Sequence, residues 1–363
     1  MKNTFGNNIS VTLFGESHGE AIGAVIDGLP AGIEVNETFI AHQLDLRRPV
    51  GKISTPRNES DDFKIFSGVF EGKTTGTPLC ITIPNENTNS KDYSKSYGKA
   101  RPGHADFTAY SKYNGCEDYR GGGHFSGRVT AGIVAIGAVC IDALKKKNIF
   151  IGTHIKKCAG VEDEEFNNIE ENIRNLSDKS FAVIDDAKGE EMIKNIEKAK
   201  AKGDSVGGVL ETVVTGLPAG IGEPWFDSVE SMLSHALFSI PAIKGVEFGA
   251  GFSCADMFGS EMNDAFTYEN GSIITKTNNN GGINGGITNG MPVVFSCAIK
   301  PTPSISKEQE TIDFINKENT LLKTTGRHDP CIVHRARVVV DSVTAIALCD
   351  LLSQKFGTDW LGA

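Results

Sequence analysis

Apolar positions along this chain alternate with polar ones in some segments and recur at three- to four-residue spacing in others, which predicts mixed α and β structure. Alternating or β-branched runs predict strands at 9–14, 24–26, 79–83, 209–215, 272–275 and 293–299. The run 129–147, VTAGIVAIGAVCIDALKKK, is apolar nearly all round and closes on lysines, where the helix dipole favours cations. It predicts a core helix. Charged amphipathic spacing predicts surface helices at 162–176, 190–202 and 307–324, and 342–356 reads as a second buried helix. Between these elements lie glycine-rich loops at 114–123 and 278–290, and loops of that length inside a compact domain usually carry function.

The chain also echoes itself. GLPAGI at 28–33 returns at 216–221, an offset of 188 residues. After each copy comes a helical stretch with a histidine and then a proline, FIAHQLDLRRP at 39–49 and SMLSHALFSIP at 231–241. A further pair, GTPLCITIP at 76–84 and GMPVVFSCAIKP at 290–301, repeats Gly-x-Pro before a strand. One shared turn would explain one match, whereas an ordered series predicts duplication of a strand-helix-strand plan within a single domain, 1–363, with halves of roughly 1–200 and 201–363. Two copies are too few for a solenoid.

Composition narrows the function. With 36 Lys+Arg against 46 Asp+Glu, a net charge of −10 argues against a general nucleic-acid or anionic-membrane surface. Gly is frequent at 41 residues but Pro is only 13, so the glycines are read as loop geometry rather than disorder. Eight cysteines are separated by at least 18 residues, which excludes Cys-x-x-Cys motifs, and MKNTFGNN lacks the apolar stretch of a signal peptide. These features predict a reduced, cytoplasmic protein. The longest uncharged apolar stretch, between Arg128 and Asp142, has 13 residues where a bilayer crossing needs about 20, so no membrane span is expected.

The positive charge that exists is concentrated. Of ten arginines, six fall between 47 and 128, three between 327 and 337, and none between 175 and 326. Such clustering in an acidic chain predicts an anion-binding pocket, because the guanidinium fork matches carboxylate and phosphate. Arg101, Arg128 and Arg327 each stand beside a glycine and close to a histidine, whereas Arg174, on a charged helix, is read as solvated. Four histidines sit in glycine-bearing loops: His18 in GESHG, His104 in RPGHAD, His124 in GGGHFSGR and His328 in GRHDP. Their unperturbed range suits proton transfer near neutrality. His42, His154, His235 and His334 are assigned structural roles. Zinc is disfavoured, since no His-x-x-x-His or His-Glu-x-x-His spacing occurs and nearby arginines oppose a cation. GGGHFSGR matches neither the P-loop nor the dinucleotide fingerprint, but it leads into the core helix and could face an anion at a helix N-terminus. KPTPS at 300–304 follows a strand and offers a wall for a phosphorylated ligand.

Taken in order, GESHG at 15–19, RPGHAD at 101–106, YRGGGHFSGR at 119–128, GGINGGITNG at 281–290, KPTPS at 300–304 and GRHDPC at 326–331 resemble the chorismate synthase family across essentially the whole chain. The resemblance implies an α+β fold, a βαβ sandwich of two antiparallel sheets enclosing a helical layer with internal pseudo-two-fold duplication, assembled as a homotetramer. A doubly wound sheet is the alternative, which the missing dinucleotide fingerprint disfavours. It implies a lyase of the shikimate pathway that removes phosphate and the C6 proton from 5-enolpyruvylshikimate-3-phosphate by anti-1,4-elimination, with reduced FMN required and NADPH as an indirect reductant. The motifs assign His18, His104 and Asp329 to catalysis. They assign Arg47, Arg48, Lys52, Arg57, Arg101, Arg128 and Arg327 to substrate anions. Flavin contacts map onto His124, Phe125, Ser126, Pro241, Ala242, Gly285, Lys300, Pro301, Thr302, Pro303, Ser304 and Arg327. The family pattern carries Arg-Ser where this chain has His124 and Phe125, and an arginine where it has Lys52, which substitutes a point charge for a fork. Two other functions remain open from sequence: an enzyme that reduces its own flavin with NADPH, and a phosphometabolite-binding protein with a diverged flavin site.

Overall fold

The structure is a computed structural model that describes residues 2–49, 51–55, 60–86, 97–324 and 328–362. Among them, two five-stranded antiparallel sheets dominate. The first runs, in spatial order, Thr4–Phe5, Ser10–Gly15, Ala21–Asp27, Leu79–Pro84 and Lys64–Ser67. The second runs Ile243–Phe248, Val293–Ile299, Gly208–Thr215, Phe150–Cys158 and Val161–Glu162. Between the sheets lie two long helices, Thr130–Lys146 against the first and Val333–Phe356 against the second, and the helices pack on each other. The fold is α+β, and the layer order is sheet, helix, helix, sheet.

The predicted core helix occupies this middle layer because only there can an all-round apolar surface be buried. The stretch 127–146 is long and apolar enough to cross a membrane, yet 89% of its most apolar window lies inside the protein. Two glycines let it fit. A Cβ on Gly132 would stand 2.9 Å from the backbone of Gly23 in the first sheet, and one on Gly137 would stand 2.3 Å from the Ser342 Cβ on the neighbouring helix.

The repeated GLPAGI segments make the same bonds. In the first, Ile33 N–H donates to Thr74 Oγ1 at 2.9 Å, which donates to the Pro30 carbonyl at 2.6 Å, while Gly32 N–H donates to the Thr74 carbonyl at 2.8 Å. In the second, Ile221 N–H donates to Thr288 Oγ1 at 2.9 Å, which donates to the Pro218 carbonyl at 2.7 Å, and Gly220 N–H donates to the Thr288 carbonyl at 2.8 Å. After each turn comes the expected helix. Glu37–Arg47 is capped by Asn36 and stopped by Arg48-Pro49, and Val229–Phe238 is capped by Ser228.

Several expectations change. The stretch 307–324 is a hairpin, Glu308–Asp313 with Glu318–Lys323, rather than a surface helix. Its spacing fits either period, and tertiary pairing decides: Ala100 N–H donates to the Ile312 carbonyl at 3.1 Å and Phe314 N–H to the Gly98 carbonyl at 2.8 Å, with Phe314 seated on Tyr97, Phe107 and Tyr110. The expected helix at 162–176 shrinks to Ile169–Leu176 because Asp163 turns inward to bond buried His154 and the Ile184 and Asp185 amides. The C-terminal helix begins at Val333 instead of 342. Its first turns hold Val338–Val340, a β-branched run of strand character, and Arg337, which becomes tolerable in the core only through Asp341 at 3.2 Å and the carbonyls of Ser177 and Lys179. The strands Phe150–Cys158 and Ile243–Phe248 were not anticipated, since lysines interrupt both patterns.

Candidate active site

One cavity of about 1890 Å³ opens between the sheet ends and the middle helices. Chain order brings the motifs to it from all sides. GESHG leaves the first sheet at Gly15, and its Ser17 N–H donates to the Gly123 carbonyl at 3.1 Å, so the GGGHFSGR loop lies against it. His124 donates from Nδ1 to the Gly15 carbonyl at 2.7 Å, adding a second tie. At the position where the family pattern has a cation, this chain therefore has a ring that clamps two loops together. Phe125 meets Tyr113 edge-on at 6.0 Å, and the Ser126 hydroxyl accepts from Arg128 N–H at 3.2 Å, capping the turn into the core helix.

The glycines of that loop set the histidines. Gly121 has φ +60° and a Cβ there would stand 2.0 Å from His18 Cε1; Gly122 has φ +91° and its Cβ would stand 3.2 Å from His104 Cε1. Successive residues thus form the wall behind both rings, and His18 also lies 3.1 Å from the Ser17 hydroxyl through Nδ1. Gly121→Ala is expected to push the His18 ring aside; with the catalytic role that the motifs assign to His18, kcat should fall by roughly 100-fold with little change in substrate affinity, as for a displacement of about 1 Å at a reacting group. Turnover and equilibrium binding measured on the same preparation check this; unaltered turnover would show that His18 tolerates displacement.

The cationic side is assembled from three elements. Arg47 and Arg48 end the helix after the first GLPAGI turn, Arg128 begins the core helix, and Arg101 stands in RPGHAD. Arg47 donates from Nη2 to Asp61 Oδ2 at 3.1 Å, and Arg128 donates to the other Asp61 oxygen; all three side chains are less than 10% exposed. Burial pulls Arg47 down to about 10, with Asp61 opposing and Arg335 and Arg128 adding to the fall. Asp61 is held below the usual carboxylate range: burial works against it, and the two guanidiniums prevail. Asp106 accepts from Arg101 at both oxygens, Nε to Oδ2 at 2.8 Å and Nη2 to Oδ1 at 2.7 Å, and from the Arg101 amide at 2.9 Å, while His104 Nδ1 lies 2.8 Å from Oδ1. These bonds outweigh burial and hold Asp106 far below the ordinary range.

Asp329 accepts Thr55 N–H at Oδ1 (2.8 Å) and Arg335 Nη1 at Oδ2 (2.6 Å). Arg335 in turn donates from Nε to the Arg47 carbonyl at 2.9 Å, joining this carboxylate to the arginine cluster. His328 beside it is pushed down by burial and by Arg101 and is therefore neutral at pH 7. The KPTPS segment closes the rim: Lys300 donates to the Gly103 carbonyl and Ser205 Oγ to the Thr302 carbonyl at 2.7 Å.

Of the residues assigned from sequence, His18, Arg47, Arg48, Arg101, His104, His124, Phe125, Ser126, Arg128, Pro241, Ala242, Lys300, Thr302, Pro303, Ser304 and Asp329 line this cavity. Lys52, Pro301 and Gly285 do not line it. Lys52 sits exposed on a short turn whose carbonyl accepts Lys200 Nζ, and Gly285 tips the small hairpin Ile283–Asn284 with Ile287–Thr288. Arg57 and Arg327 fall outside the described residues. Asp61, Asp106, Arg335 and His235 reach the cavity without having been singled out. A carboxylate is unremarkable in an acidic chain, and only pairing with arginine distinguishes these. His235 was read as structural and meets Phe5 edge-on at the apolar end.

The family model described as chorismate synthase matches residues 9–352. The chain belongs to the chorismate synthase family. It is 45% identical over 352 residues to the chorismate synthase of Dehalococcoides mccartyi, covering 97% of this chain and 96% of that one. It is 43% identical over 354 residues to that of Thermococcus kodakarensis, covering 96% and 97%. A solved structure described as the crystal structure of chorismate synthase superposes with a TM-score of 0.77 at 32% identity, covering 97% of this chain and 94% of that chain. Chorismate synthases are lyases acting on a small molecule in aromatic amino acid biosynthesis, and the arginine-lined cavity belongs to a fold of that family.

Proposed function

We propose that this cavity carries out the anti-1,4-elimination that converts 5-enolpyruvylshikimate-3-phosphate into chorismate and inorganic phosphate. The observation that carries this reading is a set of buried polar atoms without partners inside the fold, Arg47 Nε, Arg48 Nε, Thr302 Oγ1, Thr324 Oγ1 and His328 Nε2, all on residues lining the one cavity. Buried polar atoms are costly unless satisfied, so the site is built for a polar ligand. The substrate has two carboxylates and a phosphate, and Arg47, Arg48, Arg101 and Arg128 supply four guanidiniums for them. Lys52, Arg57 and Arg327 belong to the same proposed substrate set.

The elimination breaks the C3–O bond to phosphate and the C6–H bond and replaces the single ring double bond by a conjugated diene, with no net oxidation. His18 delivers a proton to the departing phosphate, which by its own charge favours the imidazolium. Asp329 helps remove the C6 proton; its bonds to Thr55 and Arg335 occupy one acceptor site on each oxygen and leave others for the ligand. His104 would protonate or stabilise the anionic reduced flavin when FMN is bound.

The residues present fit FMN. Orphaned Thr302 Oγ1 and the Lys300 ammonium on one rim, with Pro241 and Ala242 beside them and Phe125 across the loop, offer polar and apolar contacts of the kind a flavin needs. Reduced FMN, when bound, supplies electron density to the reacting ring and is not consumed, with NADPH as its indirect source of electrons. Ser126, Pro301, Pro303, Ser304, His124 and Gly285 complete the proposed flavin contacts.

The chain is further read as one duplicated domain, a reading supported by the matching hydrogen bonds of Thr74 and Thr288 around the two GLPAGI turns. It is read as a homotetramer, supported by Trp225, Phe226, Phe252 and Phe258, each more than 75% exposed in one copy. Eight free cysteines support a cytoplasmic location. The reading is tested by mixing protein, chemically reduced FMN and 5-enolpyruvylshikimate-3-phosphate without oxygen and following chorismate absorbance and free phosphate together. Equal yields that vanish without reduced flavin are expected; phosphate release without chorismate would reject it.

A further inference from the structure

RPGHAD contains a carboxylate that the functional reading has not used. Asp106 opens the helix Asp106–Tyr113, and its two oxygens take the Arg101 guanidinium at 2.8 and 2.7 Å, the Arg101 amide at 2.9 Å and His104 Nδ1 at 2.8 Å. Its side chain is 20% exposed, and that of His104 17%. Arg101 Nη2 also lies 3.0 Å from His104 Nδ1, so that ring nitrogen stands between a donor and an acceptor.

The proton inventory separates the two arrangements. A guanidinium only donates and an ionised carboxylate only accepts. If Nδ1 carried a lone pair, it would accept from Arg101 but face a carboxylate oxygen at 2.8 Å, two lone pairs pointing at each other. With Nδ1 protonated it donates to Asp106 Oδ1, and Arg101 Nη2 keeps its shorter 2.7 Å bond to that same oxygen. The second removes the clash of lone pairs and sets Nδ1–H and Arg101 Nη2 side by side as two donors to one oxygen. It places the exchangeable site of the ring at Nε2, which looks along the Gly122 wall, where a Cβ would stand 3.4 Å away.

We propose that Asp106 is the positioning residue of this site: it holds His104 in the Nδ1–H tautomer, with Nε2 presented to the cavity, and through the same carboxylate fixes the direction in which Arg101 points. The proposal rests on the reading of His104 given above and deepens it. One carboxylate then couples the geometry of an anion-binding arginine to that of the neighbouring imidazole, so neither can swing without the other.

The test uses the full chain labelled with ¹⁵N in its histidine rings. In the wild type, the neutral form of His104 is expected to show a protonated Nδ1 and an unprotonated Nε2, assigned by comparison with His104→Gln. The opposite tautomer in the wild type would overturn the proposal without any change at Asp106. Asp106→Asn, whose amide can donate or accept, is expected to give a mixed or inverted tautomer and to lower kcat by roughly 100-fold or more. Asp106→Glu is expected to restore the Nδ1–H form and at least a tenth of the activity. A wild-type tautomer retained in folded Asp106→Asn would overturn the proposal whatever its turnover. An altered tautomer with undiminished turnover would sustain the positioning role and reject instead the part given to His104 in the reaction.

Discussion

Replacing His104 by alanine is expected to lower kcat by ~100-fold or more while leaving the melting temperature nearly unchanged. The ring is partly exposed and its single strong bond goes to Asp106, which Arg101 continues to neutralise at both oxygens, so no buried charge is stranded. What is lost is the imidazole held against Gly122 at the cavity face. On the proposed assignment Arg47, Arg48 and Arg128 hold substrate anions from other elements, so KM should change less than kcat. Turnover within twofold of wild type, measured without oxygen and with reduced flavin in excess, would remove His104 from the mechanism. The same substitution at His18 provides a comparison, since that ring is buried behind Gly121 and its loss should affect both stability and turnover.

The second large effect concerns stability. Asp61→Ala is expected to destabilise the protein by about 3–5 kcal/mol, because it leaves Arg47 and Arg128 buried beside one another with their shared carboxylate gone. Arg335 is near enough to add to the repulsion felt by Arg47. Urea unfolding midpoints report the loss. Inorganic phosphate should recover part of it in the variant and less in the wild type, since an added anion can occupy the place the carboxylate vacates and stabilises by mass action. A variant as stable as the wild type, with no response to phosphate, would mean that the two guanidiniums find other acceptors. The experiment also bears on binding. On the proposed assignment, a substrate anion at Arg47 and Arg128 must share them with Asp61, so the carboxylate is expected to temper affinity in return for keeping the empty cluster folded.

Sequence alone determined a good deal of this protein. The apolar run at 129–147 predicted a buried helix, because no amphipathic face was available to meet solvent, and the fold buries it in the core. The GLPAGI echo located two equivalent turns and the helices after them, since turn chemistry and capping are local. Glycine-flanked histidines and clustered arginines marked the loops that line the cavity, and their order carried the family. The remainder was decided by tertiary structure. Whether 307–324 became helix or hairpin depended on hydrogen bonds to 98–100, distant in sequence. Where the C-terminal helix began depended on acceptors for Arg335 and Arg337 in distant segments, the Arg47 carbonyl for the first and the Ser177 and Lys179 carbonyls for the second. The same holds for the site. Asp61 and Asp106 are ordinary acidic residues until folding removes water and sets arginines within about 3 Å of them, and Gly285, inside a recognisable motif, falls outside the cavity, as does Lys52. Local patterns encode propensities, whereas a carboxylate's role is set by which charges the chain brings to it in a medium of low dielectric.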